Sequence, residues 1–122
     1  MATENVHMRQ DRDSGFLDDT GVTFTRLAVK DDACVLEIRG DLDIAVSGML
    51  GQELDELLDL DIPRVAVDLS GVQFMDSSAL SALVQAHERA RERTQQFVLL
   101  RPSPACAKVL NITGLDRVFG VS

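Results

Sequence analysis

The sequence has no tryptophan, no tyrosine and only 4% aromatic residues. Proteins that bind single-stranded nucleic acid stack bases on exposed rings, so this composition argues against such a platform. Basic residues are also few: 12 Lys and Arg stand against 20 Asp and Glu, which gives a formal net charge of −8. A phosphate backbone or an anionic membrane surface would repel such a chain. We therefore expect neither nucleic acid nor a membrane among its partners.

Long apolar runs are absent as well. No stretch approaches the roughly 18 consecutive apolar residues that span a bilayer, and residues 1–20 lack the apolar core of a signal peptide. These features predict a cytoplasmic protein. The polar residues 1–20 are expected to form a disordered leader. One domain over residues 21–122 follows, since a length of 122 residues fits a single domain.

Cysteine is scarce too. Cys34 and Cys106 lie far apart, each in an apolar stretch and without metal-ligand spacing. Both are predicted to be buried hydrophobic side chains. No Cys and His cluster suggests a metal, and the glycine motifs that bind phosphates or dinucleotides are missing. We therefore expect no cofactor.

Hydrophobic periodicity predicts the fold. Alternation indicates strands at Thr23–Val29 and Ala33–Arg39, joined by a short polar turn. Helical spacing from Val46 to Leu58 predicts a first helix. The remaining predicted elements are a buried strand at Arg64–Leu69, a helix after Asp76, a strand at Phe97–Leu100, a helix from Ser103–Pro104 to Gly114, and a last strand at Val118–Phe119. The predicted class is α/β: an opening antiparallel hairpin, then parallel strands, with helices packed on the mixed sheet.

Catalytic constellations are hard to find. A nucleophilic serine or cysteine needs a neighbouring base. His7 lies in the leader, and His87 falls more than two turns after Ser78 on the same predicted helix. The Gly-x-Ser-x-Gly elbow of hydrolases is missing. We therefore expect a protein that is not an enzyme.

Asp68, near the end of a predicted central strand, raises the hypothesis of a receiver-type domain phosphorylated on aspartate. That chemistry needs Mg²⁺ held by several carboxylates near the strand ends. Here the first strand leads into a hairpin turn, without an acidic pair over the sheet edge. The alternative interpretation of Asp68 is a capped structural carboxylate.

The segment Phe74–Leu80 lies at a predicted strand-to-helix junction. Asp76, Ser77 and Ser78 are residue types that begin helices, and a plain N-cap is one interpretation. The other is a switch. The free amides and positive dipole end at a helix N-terminus favour an added phosphate. Phosphorylation there would add about −1.5 to −2 charges without unfolding the helix.

Three segments in the right order resemble the STAS domain of anti-sigma-factor antagonists, over about residues 22–120. Gly40–Asp43 resembles the family's Gly-[Glu/Asp]-Leu-Asp turn. Val67–Val72 with Phe74–Ser78 resembles its central strand and phosphorylation loop. Ile112–Leu115 with Val118–Phe119 resembles its closing helix and strand.

The resemblance implies a partner switch in transcription regulation. In that family the serine after the loop aspartate accepts the phosphate; here it is Ser77, with Ser78 beside it. The unphosphorylated form binds an anti-sigma factor that is also an ATP-using serine kinase, and so frees a sigma factor. Phosphorylation separates the complex, and a serine phosphatase resets it. Asp43 typically meets the kinase. The residues so assigned to partner binding are Leu42, Asp43, Ile44, Asp76, Ser77, Ser78, Ala79 and Leu80.

Two departures from the family are visible. Ala79 stands where the family usually has Gly. The chain also stops at Ser122, where relatives commonly carry another helix, so the domain is expected to lack that helix. Apolar sheet surface would then be exposed, and weak self-association through it is a hypothesis. The alternative function is a STAS-like scaffold or small-molecule-sensing module.

Overall fold

A five-stranded mixed β-sheet lies at the centre of the protein. The structure is a computed structural model and describes residues 21–29 and 32–121. The elements in chain order are β1 (Thr23–Val29), β2 (Ala33–Leu42), α1 (Ile44–Asp59), β3 (Arg64–Met75), α2 (Ser77–Glu92), β4 (Gln96–Leu100), α3 (Pro104–Thr113), a 3₁₀ turn (Leu115–Arg117) and β5 (Gly120–Val121). Strand β1 pairs antiparallel with β2, and β2 to β5 run parallel in sequence order. The predicted fold class is confirmed.

Strands β2 and β3 extend further than predicted. The alternation in the sequence ends near Arg39 and Leu69, yet the strands continue side by side until Leu42 pairs with Met75. Two register shifts interrupt the pairing, between Glu37 and Arg39 and after Gly40. Bulges of this kind break the period-2 pattern and re-aim the strand. The sequence pattern therefore hid these extensions.

The predicted last strand at Val118–Phe119 is wrong by two residues. The Val118 and Phe119 amides both donate to the carbonyl oxygen of Leu115, at 2.9 and 3.1 Å, which continues the 3₁₀ turn. Phe119 packs its buried ring edge-on against His87, with ring centroids 5.4 Å apart. Strand β5 starts only at Gly120. The apolar pair contributes to the core from a turn.

One face of the sheet forms the core. Inward-facing side chains on β2 and β3 are fully or nearly fully buried: Cys34, Leu36, Ile38, Val65, Val67 and Leu69. Helices α1 and α2 pack against each other. Ion pairs join them at their surface, between Asp55 and Arg89 and, at 2.8 Å, between Asp59 and Arg93. These contacts hold α2, which carries Ser77, in a fixed position.

Helix termini follow the capping rules that the sequence indicated. Asp76 is the N-cap of α2, and Ser103 is the N-cap of α3 with Pro104 next to it. Gly114 ends α3 in the left-handed conformation, with φ of 77°, which suits glycine because it has no Cβ. The predicted starts of α2 and α3 and the end of α3 are confirmed.

Both cysteines are buried, as predicted. Burial raises the pKa of each thiol, since a thiolate loses solvation inside the protein. The predicted disordered leader 1–20, with His7, lies outside the described residues. Within residues 21–29 and 32–121, no helix has the length and apolar character needed to cross a membrane.

Candidate functional site

Two helix N-termini meet at the carboxyl end of the sheet. Strands β2 and β3 end side by side at Leu42 and Met75, so the helices that follow them start next to each other. Asp43 caps α1 by accepting a 3.0 Å hydrogen bond from the amide of Ala45. The amide of Asp76 donates to the carbonyl oxygen of Leu42 at 3.1 Å. The predicted turn and phosphorylation loop are therefore adjacent.

Gly40 makes this approach possible. Its φ is 113°, a region that L side chains rarely adopt, and a Cβ built there would lie 2.5 Å from the carbonyl oxygen of Gly21. Only glycine fits both conditions. The residue therefore fixes the path of β2 into Asp43, which explains physically why glycine starts the Gly40–Asp43 segment.

The carboxylate of Asp76 ties both helix starts together. It accepts the hydroxyl of Ser78 at 2.6 Å and the amides of Ser78 and Ala79 at 2.9 and 3.2 Å. The amide of Ile44, at the start of α1, also donates to it. The Ser78 hydroxyl is the largest influence on the pKa of Asp76, and together with the amides it outweighs desolvation and lowers that pKa. Asp76 is thus a charged clamp between α1 and α2.

Ser77 and Ser78 have different environments. Ser78 is half-buried, and its hydroxyl is engaged by Asp76. Ser77 is exposed in the first turn of α2, and its hydroxyl has no hydrogen-bond partner among the residues that the structure describes. An enzyme could reach the hydroxyl of Ser77 without breaking a contact. The same attack on Ser78 would have to break its bond to Asp76.

The other residues predicted to bind a partner divide by exposure. Ile44 is 77% exposed, and Asp43 and Asp76 are partly exposed. The side chains of Leu42, Ala79 and Leu80 lie in the core. The last three therefore hold the backbone of the site in place. The assignment of these residues to partner binding stays a prediction.

Phe74 is an exposed aromatic residue that was not predicted as a contact. It is 49% exposed, whereas the next residue, Met75, is 3% exposed. It pairs with exposed Asp41 across the bulged end of the sheet. Its parity opposite to Met75 in the strand was the available signal, but it required knowing that β3 runs this far.

Asp68 is held inside the sheet. It is 4% exposed, accepts the amide of Ser70 at 2.9 Å and pairs with the guanidinium of Arg101. Burial is the largest single influence and raises its pKa, but the Ser70 amide and Arg101 together outweigh it, so the pKa is lowered. In the described part of the chain, no group of three or more His, Cys, Asp or Glu could hold a metal ion. This geometry favours the structural interpretation of Asp68.

A shallow groove of about 340 Å³ lies near the end of the bulged part of β3. It is lined by Ser70, Gly71, Val72 and Gln73 from β3 and by Ser103, Pro104 and Ala105 from the start of α3. Ligands of parallel sheets commonly bind beyond the carboxyl ends of the strands. The groove is thus the natural place for a small molecule on the described surface.

Comparison with known protein families gives one match, to the model described as "Mlab, STAS domain", over residues 25–120. The match covers most of the chain, including all the helices and the Ser77 loop. The chain belongs to the STAS domain family. The resemblance inferred from the Gly40–Asp43 and Phe74–Ser78 motifs is confirmed.

Similar proteins include several antagonists of anti-sigma factors. The anti-sigma-F factor antagonist RsfB of Mycobacterium tuberculosis is 27% identical over 85 residues, 70% of this chain and 69% of RsfB. The crystal structure of an anti-sigma factor antagonist from Mycobacterium paratuberculosis is 26% identical, with a TM-score of 0.74 over 82% of this chain and 84% of the other.

The anti-sigma factor antagonist SpoIIAA shares the fold at 20% identity. In its unphosphorylated form the TM-score is 0.70, over 82% of this STAS chain and 88% of SpoIIAA. In its phosphorylated form, described as a Bacillus cell fate determinant, the TM-score is 0.64, over 82% and 91%. At this identity the likeness supports the fold alone.

Proposed function

We propose that this STAS domain is an anti-sigma-factor antagonist that works as a phosphorylation-controlled partner switch. In its unphosphorylated form it binds an anti-sigma factor that is also a serine kinase, and so releases a sigma factor. The kinase transfers a phosphoryl group from ATP to Ser77, the complex separates, and a serine phosphatase removes the phosphate. The chain acts in the cytoplasm as substrate and binder, not as catalyst.

The exposed, unengaged hydroxyl of Ser77 carries this proposal. It lies in the first turn of a 16-residue helix that is packed against α1. The neighbouring hydroxyl of Ser78 is held by Asp76. Phosphoryl transfer needs a hydroxyl free to enter the active site of a kinase. Ser77 meets that condition, and Ser78 does not without local rearrangement.

Electrostatics supply the switch. A phosphate on Ser77 would lie at the positive end of the α2 dipole, which stabilises it on the folded protein. It would also bring close to two extra negative charges to a surface that already holds the carboxylates of Asp43 and Asp76. Burying that charge against a partner costs free energy unless the partner offers matching cations. Phosphorylation is therefore expected to weaken the complex and leave the fold intact.

Apolar contact would supply the affinity of the unphosphorylated form. Ile44 is 77% exposed and Phe74 is 49% exposed, each within a few residues of a cap, Asp43 or Asp76. Binding energy at interfaces is concentrated in a few buried side chains, with aromatic residues prominent among them. We propose Phe74 and Ile44 as the apolar contacts beside Ser77.

The function can be tested with candidate anti-sigma factor kinases of the source organism. Each is mixed with the chain in the presence of ADP or ATP, and complex formation is measured by size-exclusion chromatography. We expect one kinase to form a complex that dissociates with ATP for the wild type and persists with ATP for Ser77→Ala. If no such kinase binds, or if ATP dissociates both complexes equally, the proposal is wrong.

The groove between β3 and the start of α3 favours a second candidate, a small-molecule-sensing module. Pockets that hold ligands are typically concave with a few polar groups, and Ser70 and Ser103 are such groups. This function predicts that a metabolite raises the melting temperature of the chain and that Ser70→Leu abolishes the rise. No phosphate acceptance at Ser77 is expected in that case.

A further inference from the structure

The face of the sheet opposite the core carries a row of aliphatic side chains. Side chains alternate between the two faces along each strand, and the register brings one residue from each of four strands into line. Leu27 pairs with Val35, Val35 with Ala66, and Ala66 with Val98. We call these four residues the aliphatic row. We infer that it is the contact surface for a second copy of this chain.

The aliphatic row stands apart from the core. Its four residues are only partly buried, and none belongs to the core cluster or to the partly buried residues packed against that cluster. Val29, two residues beyond Leu27 on the same face, is 50% exposed. A sheet face in contact with water normally carries polar residues at these positions. Four aliphatic residues in line therefore favour a face that is covered in solution.

Charges on the same face select the occupant and its orientation. Glu37 and Asp68 pair with each other one step towards the carboxyl ends of β2 and β3, and exposed Arg64 lies one step towards the amino ends. A second copy with its strands parallel to the first would set these acidic pairs against each other. With its strands antiparallel, Arg64 of each copy faces the acidic pair of the other. One two-fold axis produces both favourable contacts together.

Glu37 is the acidic group best placed to meet the partner copy. Asp68 is buried and already paired with Arg101, whereas Glu37 is only partly buried. The antiparallel arrangement therefore rests on Arg64 of one copy and Glu37 of the other, on either side of the aliphatic row. Aligned packing of two sheets about 10 Å apart is a common arrangement of β-sheet faces.

The size of this face implies a weak dimer. Four strands, each contributing about three residues, cover roughly 20 by 10 Å, which is well below the ~800 Å² per partner of a stable complex. Association should therefore depend on concentration. Ser77 follows the carboxyl end of β3, at the start of α2 and off this face. Both copies therefore keep Ser77 accessible, and the dimer is separate from the proposed switch.

Sedimentation equilibrium of the full chain, from about 10 μM to about 1 mM, tests this inference. We expect a reversible dimer whose dissociation constant rises at least about tenfold in Val35→Asp, because a carboxylate would be buried in an apolar contact. Val118→Asp makes the same change at an exposed residue outside the sheet and should leave the constant unchanged. Circular dichroism checks that each variant is folded.

Two further sets of variants keep the test decisive. Val35→Thr preserves shape and strand preference and should still weaken the dimer if Val35→Asp fails to fold. Arg64→Glu and Glu37→Arg should each weaken it, and the double variant should restore it, since the charges are exchanged. A monomer at 1 mM, equal effects of Val35→Asp and Val118→Asp, or no restoration would overturn the inference. So would a dimer that forms only when Phe16→Asp removes an apolar residue from the leader, because the leader would then be the occupant.

Discussion

Ser78 donates its hydroxyl to the carboxylate of Asp76 at 2.6 Å. The bond adds to the N-cap of α2 and leaves Ser77 as the hydroxyl of this pair that faces solvent without a partner. Two adjacent serines therefore have separate tasks: Ser78 helps to fix the start of the helix, and Ser77 is available for modification. The proposed switch depends on this difference.

A negative charge at Ser77 should weaken partner binding. Ser77→Asp is expected to lower the affinity for the cognate kinase at least about tenfold, because like charges brought together in an interface cost several kcal/mol. Ser77→Asn has nearly the same shape without the charge and should bind more tightly than Ser77→Asp. Isothermal titration calorimetry measures both. Equal affinities for the two variants would contradict the electrostatic mechanism.

Asp43 has two separable roles, as a helix cap and as a proposed contact. Asp43→Ala should lower the free energy of unfolding by about 1 kcal/mol, because the amide of Ala45 loses its acceptor. Asp43→Asn keeps a capping oxygen, so its stability should stay within about 0.5 kcal/mol of the wild type. Urea unfolding gives these values. If Asp43 also meets the kinase through its charge, Asp43→Asn should bind more weakly despite its normal stability; wild-type binding would limit Asp43 to capping.

Acid should remove the stabilisation that Asp68 provides. Its pKa is lower in the folded protein, so its contribution is fully present above the ordinary carboxyl pKa of about 4. That contribution is lost as the pH falls through the lower folded-state value. We expect the difference in melting temperature between the wild type and Asp68→Asn to be large at pH 7 and to shrink below about pH 4. Asp41→Asn removes the same charge from an exposed side chain and serves as control. A difference that is constant down to pH 2 would count against the Arg101 and Ser70 contacts as the cause.

Ala79 should be better than glycine for the stability of this chain. Its methyl group is fully buried in the first turn of α2. Ala79→Gly is therefore expected to cost about 1–2 kcal/mol in the free energy of unfolding, through helix propensity and lost burial. Ala45→Gly, at an exposed position in the first turn of α1, should cost less because no buried methyl is lost. Urea unfolding of both variants checks this, and an Ala79→Gly variant as stable as the wild type would refute it.

The order of elements could be predicted from the sequence because it rests on local patterns. Alternation over Thr23–Val29, the N-caps Asp76 and Ser103, and the glycine after α3 each act within a few residues. The extended ends of β2 and β3 could not be predicted, because register shifts break the pattern there. The sequence also placed the last strand too early, since Phe119 is buried from a turn.

The candidate site was predictable as a segment but not as an arrangement. The motif Asp76–Ser78 indicated where a phosphate would be added, yet both serines fit it equally. Only the hydrogen bond to Asp76 separates them, and that bond depends on the path of the backbone into α2. The exposure of Phe74 likewise depends on pairing with β2, which lies more than 30 residues away in the sequence.

Mapping the phosphate tests the central claim most directly. The chain is incubated with its kinase and ATP, and the modified residue is located by mass spectrometry in the wild type, Ser77→Ala and Ser78→Ala. The account predicts a single phosphate on Ser77 in the wild type and in Ser78→Ala, and none in Ser77→Ala. A phosphate on Ser78, or undiminished labelling of Ser77→Ala, would contradict it.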